Sequence, residues 1–203
     1  MKPSPARSAL TVAVCVLALA AAVPAQQGDE PQMTPEEIAE MNAWMALAEP
    51  GEHHEHLGWL AGRWKGDIQM WMAPGSEPMR DVGEAEARWA LGGRFLAWRH
   101  TGSFQGSPFE GLSFDGYNNG DERYETIWMD NFGTLILYYT GSCSDDGRVR
   151  TLNTSFRDVV GGGEILYRAL YTVEDEDHFT YESFMRKDGE EEFRNLFIRW
   201  TRQ

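Results

Sequence analysis

Cysteine is nearly absent from this chain, with two residues in 203. Cys15 lies inside an apolar run near the N terminus, which leaves Cys143 alone in the body of the sequence. No internal disulfide can form there, so packing must hold the core unaided. Positive charge is scarce as well. Eighteen Lys and Arg face 32 Asp and Glu, for a net charge of −14 at pH 7. Such a surface repels phosphate backbones and anionic lipid, which argues against nucleic acid and membrane surfaces as partners. Beyond residue 60 no long helical pattern occurs, so βαβ units are not expected, and no repeat of propeller length is present. The familiar catalytic signatures are missing too: no Gly-x-Ser-x-Gly elbow, no phosphate-cradling glycine loop, no His-Glu-x-x-His helix. No catalytic residue and no cofactor is assigned from the sequence.

What is present begins with an address. Lys2 and Arg7, the apolar run from Ala9 to Ala22 and the small residues Val23-Pro24-Ala25 have the build of a secretory leader over residues 1–25. The run is short for a membrane span. Cleavage after Ala25 is expected, giving a secreted or periplasmic protein whose net charge is two units more negative. Residues 26–33 are polar and read as a flexible link. Residues 34–60 form a helical lead-in: Thr34 as N-cap, Pro35 in the first turn and Glu37 closing a capping box. Ile38, Met41, Trp44, Met45 and Ala48 share one face of that helix, suited to packing on the remainder of the chain or closing one end of it. Pro50-Gly51 ends it. His53, His54 and His56, with Glu52 and Glu55, are the most metal-like cluster, although no distant ligand with motif spacing joins them. No metal is assigned; the alternative is a solvated helical turn.

Residues 61–203 are punctuated as β-hairpins. Turn residues divide them into about ten strands, at 62–72, 80–90, 93–104, 109–118, 123–130, 133–141, 148–157, 163–173, 178–186 and 191–202. Alternation assigns the faces. Trp64, Ile68, Met70 and Met72 share one side of the first strand, and Ala85, Ala87 and Trp89 one side of the second. In the last, Leu196, Ile198, Trp200 and Arg202 oppose Arg194 and Arg199. One buried face along a connected meander predicts an all-β, antiparallel up-and-down barrel, because closure removes exposed edges.

Several motifs have a family resemblance. They are Leu60-Ala61-Gly62-x-Trp64, Leu91-Gly92-Gly93-Arg94-Phe95-Leu96, Pro108-Phe109-Glu110-Gly111, Gly116-Tyr117-Asn118, Trp128-Met129-Asp130 and Trp200-Thr201-Arg202. From about Thr34 to Arg202 the chain resembles a bacterial family of unassigned function, domain of unknown function 1579. The resemblance implies a calycin-like barrel, related in shape to lipocalins, fatty-acid-binding proteins and nitrobindins, and implies no activity. It also implies a structural closure in which Arg202 covers Trp64 beside Gly62. Nitrobindin-like relatives bind haem through a histidine near the C-terminal end of the barrel. Residues 179–203 hold none, and His178 begins a strand after an acidic turn, so His100 is the remaining candidate ligand.

Three function classes follow. The favoured one is a binding module, since a barrel of this size keeps room inside for a small apolar or amphipathic molecule. Its candidate lining is Met70, Met72, Trp89, Trp98, Trp128, Tyr139 and Tyr181, with Arg99, His100 and Asp130 as polar anchors; aromatic residues on such a face also serve simply as core. The second is an isomerase- or lyase-type enzyme, with Asp130 and His100 or Glu110 and Arg99 as acid–base pairs. The third is an interaction protein with a filled core, using the acidic run Glu174-Asp175-Glu176-Asp177 to dock a basic partner.

Overall fold

Turn chemistry cuts the chain close to where the sequence predicts. The computed structural model describes residues 33–203; the leader, its cleavage point and nearly all of the polar link lie outside the described residues. The lead-in comprises helix α1 (Pro35–Leu47), helix α2 (Glu52–Leu57) and a 3-10 turn (Gly58–Leu60). Ten strands follow: β1 (Gly62–Met70), β2 (Met79–Ala90), β3 (Phe95–Phe104), β4 (Ser107–Asn118), β5 (Arg123–Asp130), β6 (Leu137–Cys143), β7 (Val149–Arg157), β8 (Glu164–Val173), β9 (His178–Lys187) and β10 (Phe193–Arg202). Each is antiparallel to the next, and β1 pairs β10 from Trp64↔Arg202 to Met70↔Leu196, closing the barrel.

Up-and-down connectivity gives the barrel two unlike ends. At one, α2 and the 3-10 turn form a plug, with Leu57 and Leu60 buried against the Trp64, Leu96 and Phe179 core. Trp64, 1% exposed, donates from Nε1 to the Leu60 carbonyl at 2.9 Å. Arg202 lies over its ring, Cζ 4.1 Å from the centroid. The same guanidinium donates to the carbonyls of Ala61 (2.7 Å), Trp59 (3.1 Å) and Glu176 (2.7 Å). Gly62 is required here, because its φ of +135° disfavours side chains and a Cβ would overlap Arg202 Nη1. The acidic run is also spent at this end: Glu174 pairs with Arg199 (2.7 Å) and Asp175 with His178 (2.9 Å).

Three local expectations need correction, and one feature has no counterpart among them. α1 forms with its capping box, Thr34 N–H donating to Glu37 at 2.7 Å, yet buries no residue. Ile38, Met41, Trp44 and Met45 stay exposed. Only the C-terminal end of α1 is tied down, through Asn119 to the carbonyls of Leu47 and Glu49 and Arg94 to that of Ala48. β1 stops at Met70, because Pro74 and Pro78 cannot donate to a ladder and Ser76 closes a turn on Ala73. Met72 is therefore in a loop, 62% exposed. β6 starts at Leu137, since Asp130 caps the Phe132 N–H and Asn131 bridges to Pro108 and Glu110, holding residues 131–136 in a turn. Finally, β10 contains a bulge between Arg194 and Leu196. That extra residue is how Arg194, of the same parity as Leu196, reaches the outer face, over the Trp71 and Phe197 rings.

Candidate functional site: a two-lobed chamber

Between the plug and the opposite end the barrel is hollow. Two adjoining lobes of about 370 and 400 Å³ share Met70, His100, Phe109, Trp128, Leu196, Ile198 and Trp200. Such volumes accommodate a small organic molecule. Of the candidates from the sequence, Met70, Trp98, His100, Trp128, Asp130, Tyr139 and Tyr181 line the first lobe. Trp89 does not: it keeps the inward phase of β2 but sits at the plugged end beside Gly58, 42% exposed. Arg99 does not either, since odd-numbered residues of β3 face outward, where it pairs with Glu110 at 3.0 Å. Met72 is excluded by the early end of β1. Gly62, Trp64 and Arg202 form the closure already described.

A polar tie absent from the sequence reading crosses the floor of the first lobe. Asp115, 0% exposed, accepts from Trp98 Nε1 (3.0 Å), Thr126 Oγ1 (2.6 Å) and Arg150 Nη2 (2.9 Å). Arg150 is buried as well, its guanidinium 4.3 Å from the Tyr171 ring centroid. The pair stitches β3, β4, β5 and β7 together, although Nε and Nη1 of Arg150 are buried without a hydrogen-bond partner. It escaped notice because β4 inverts the usual pattern: Ser113 and Asp115 point inward while Leu112 and Phe114 are exposed on the outer wall.

Above this floor the lining is aromatic. His100 stacks on Trp98, with centroids 5.3 Å apart and planes at 14°, and meets the rings of Trp128 (5.1 Å) and Trp200 (5.9 Å). Burial depresses its imidazole to about 4, with Asp115 opposing only in part, so it is neutral at physiological pH. Tyr171 and Tyr181 stand 4.8 Å apart, and burial raises the Tyr181 phenol to about 12. Asp130 accepts from Trp128 Nε1 (2.9 Å) and from the Phe132 N–H (2.9 Å).

The other histidines belong to the plug. His178 is bonded to Asp175, away from the chamber. His54 is buried and accepts the Gly51 N–H at 3.1 Å, His56 meets the Tyr124 hydroxyl at 2.9 Å, and His53 packs on Tyr117 at 4.2 Å. These contacts seat one face of α2 on the barrel while Glu52, His53 and Glu55 stay exposed, and no group of three metal ligands converges among the described residues.

A closed ten-stranded antiparallel meander, plugged at one end and hollow within, is a calycin-like barrel. The chain belongs to the family described as protein of unknown function DUF1579, whose model matches residues 49–202. A search of curated proteins finds no match. Two solved structures share the shape. One is Rv2717c from M. tuberculosis, at 18% identity and a TM-score of 0.54, with 76% of this chain and 99% of that one covered. The other is the S-type phycobiliprotein lyase CPES from Guillardia theta, at 11% identity and a TM-score of 0.54, with 73% and 91% covered. At these identities the likeness is one of fold.

Proposed function

We propose that this is an exported binding protein that holds a small apolar or amphipathic molecule inside the barrel. The observation that carries the reading is the chamber, two lobes of about 370 and 400 Å³ walled by aromatic rings in a fold that could have packed its centre shut. Export is supported by the leader-like residues 1–25. An enzymatic reading, suggested by the shape shared with a phycobiliprotein lyase, has less behind it. A His100 held near 4 is a weak base at neutral pH, and both oxygens of Asp130 already accept hydrogen bonds. The acidic run is paired within the barrel end, which leaves little of it for a basic partner.

Native mass spectrometry of the protein, expressed from its full sequence in an exporting host, tests this directly. The expected result is a polypeptide starting at Gln26 with a discrete adduct lost on organic extraction. A Soret band in the same sample would identify the adduct as haem. The neutral dye Nile red should bind the extracted protein, and Ser183→Trp, which fills the first lobe, should abolish that binding. Binding indifferent to Ser183→Trp would defeat the reading.

A further inference from the structure

The chamber's walls carry more chemistry than its volume. The first lobe carries charge of one sign: Asp130 borders it and no Lys or Arg does, whereas Asp81, Glu84 and Arg80 all border the second lobe. The guanidinium of Arg150 lies beneath the floor, outside the lobe's lining, with Nη2 on Asp115 and Nε and Nη1 without a hydrogen-bond partner. A ligand carboxylate in the first lobe would meet Asp130 and no lining cation, at a desolvation cost that the wall there does not offset.

The walls are also flat. Gly66, Gly83 and Gly102 stand in register across β1, β2 and β3 on the inner face. Trp200 lies against Gly66, whose added Cβ would come within 2.8 Å of the indole. At Gly83 and Gly102 the wall of the second lobe is main chain, facing a space bounded by the rings of Phe104, Phe109, Trp128 and Trp200 and by aliphatic side chains such as Ile68, Met79 and Leu196. Backbone on one side and four rings in the remaining lining favour a planar molecule over a coiled acyl chain.

Two polar side chains in this apolar space have no protein partner. His100 has no hydrogen bond among the described residues, and a neutral imidazole offers one donor and one acceptor. Asn195 is the residue inserted by the β10 bulge, which turns its carboxamide into the first lobe. Its Oδ1 is sealed from solvent and accepts no hydrogen bond. A half-turn of the amide exchanges oxygen for nitrogen without supplying a partner, so one end is unsatisfied in either orientation. A bulge that re-aims a polar side chain into a cavity is a feature of binding sites.

We infer that the chamber takes an uncharged, planar ring compound bearing an N–H or O–H on its edge, oriented by hydrogen bonds to Asn195 and His100. This rests on the ligand-binding reading above and narrows it to one chemical class. An anionic headgroup beside Asn195 and His100 is disfavoured by Asp130, and the flat glycine wall favours a ring over a saturated chain.

Titration calorimetry with four probes tests it: 2-naphthol, its methyl ether 2-methoxynaphthalene, 2-naphthoate and 1-decanol. The naphthol should bind about tenfold more tightly than the ether and the naphthoate, the effect of one recovered hydrogen bond and one avoided charge burial, and more tightly than decanol because its ring is planar. Asn195→Leu, matched in size but without the amide, should lower naphthol affinity about tenfold and leave the methyl ether unchanged. A thermal unfolding midpoint establishes that the variant is folded, and Asn195→Ala serves as the second variant should Leu not fit. Naphthoate or decanol binding as tightly as naphthol would overturn the ligand class. A naphthol preference that survives both substitutions would overturn the role of Asn195. Failure of all four probes, in a protein whose Nile red binding still responds to Ser183→Trp, would sink this inference alone. Nile red indifferent to Ser183→Trp would sink the ligand-binding reading with it.

Discussion

Burial lowers the His100 imidazole from 6.5 to about 4, and that shift couples a single side chain to stability. The unfolded chain takes up this proton near pH 6.5, whereas the folded chain does so only near pH 4. Between those values the unfolded state holds more protons, so stability falls as pH falls, by about 3 kcal/mol once both states are protonated. His100→Gln should flatten this part of the pH dependence in denaturant unfolding. Identical slopes for the two proteins between pH 4 and 6.5 would show that the imidazole is not buried as described. Individual residues were legible in the sequence where alternation alone decides their side: Met70, Trp98, His100, Trp128 and Tyr139 follow it into the chamber. Trp89 follows it too but at the plugged end, and period-two patterning says nothing about height along the barrel axis. Arg99 obeyed alternation outward, and its selection as an anchor ran against that rule. Asp115 and Arg150 were illegible because a buried ion pair looks, in sequence, like two surface charges.

The elements differ in how firmly the rest of the fold holds them. α2 buries His54 and Leu57, whereas α1 buries nothing and meets the barrel through a few hydrogen bonds at its C-terminal end. Deleting residues 34–47 should therefore cost less than about 1 kcal/mol in denaturant unfolding, the scale of one or two exposed hydrogen bonds. A loss of several kcal/mol would mean that α1 packs in solution against a surface it leaves bare here. The family match beginning at residue 49 agrees with a core unit that starts after this helix. Strand positions were read from turn residues to within a few positions, because Asn, Asp, Gly and Pro carry specific backbone preferences. The start of β6 was missed because the loop 131–136 contains Phe132, Leu135 and Ile136, apolar residues that imitate a strand. The β10 bulge was invisible for a different reason: Arg194 and Leu196 were rightly assigned to opposite faces, but nothing in Asn195 announces the extra residue that puts them there.

For the molecule as a whole, the decisive contact joins its first strand to its last. Trp64→Ala removes the indole that fills the plugged end, together with its bond to Leu60 and the surface on which Arg202 lies. It should destabilise the protein by about 3–5 kcal/mol while leaving affinity for a chamber ligand unchanged. An unaltered melting temperature would refute the closure, and lost affinity in a stable variant would move Trp64 into the site. The same contact sets a timetable. Ala61 and Arg202, joined through a single hydrogen bond, are 141 residues apart in sequence. At roughly 5–20 residues per second, a ribosome that has made Ala61 works on for about 7 to 28 seconds before Arg202 exists to pair with it. Until then the growing sheet keeps a bare edge on either side. Whatever escorts the chain during that interval meets an unfinished sheet, and no barrel exists until the final strand has emerged.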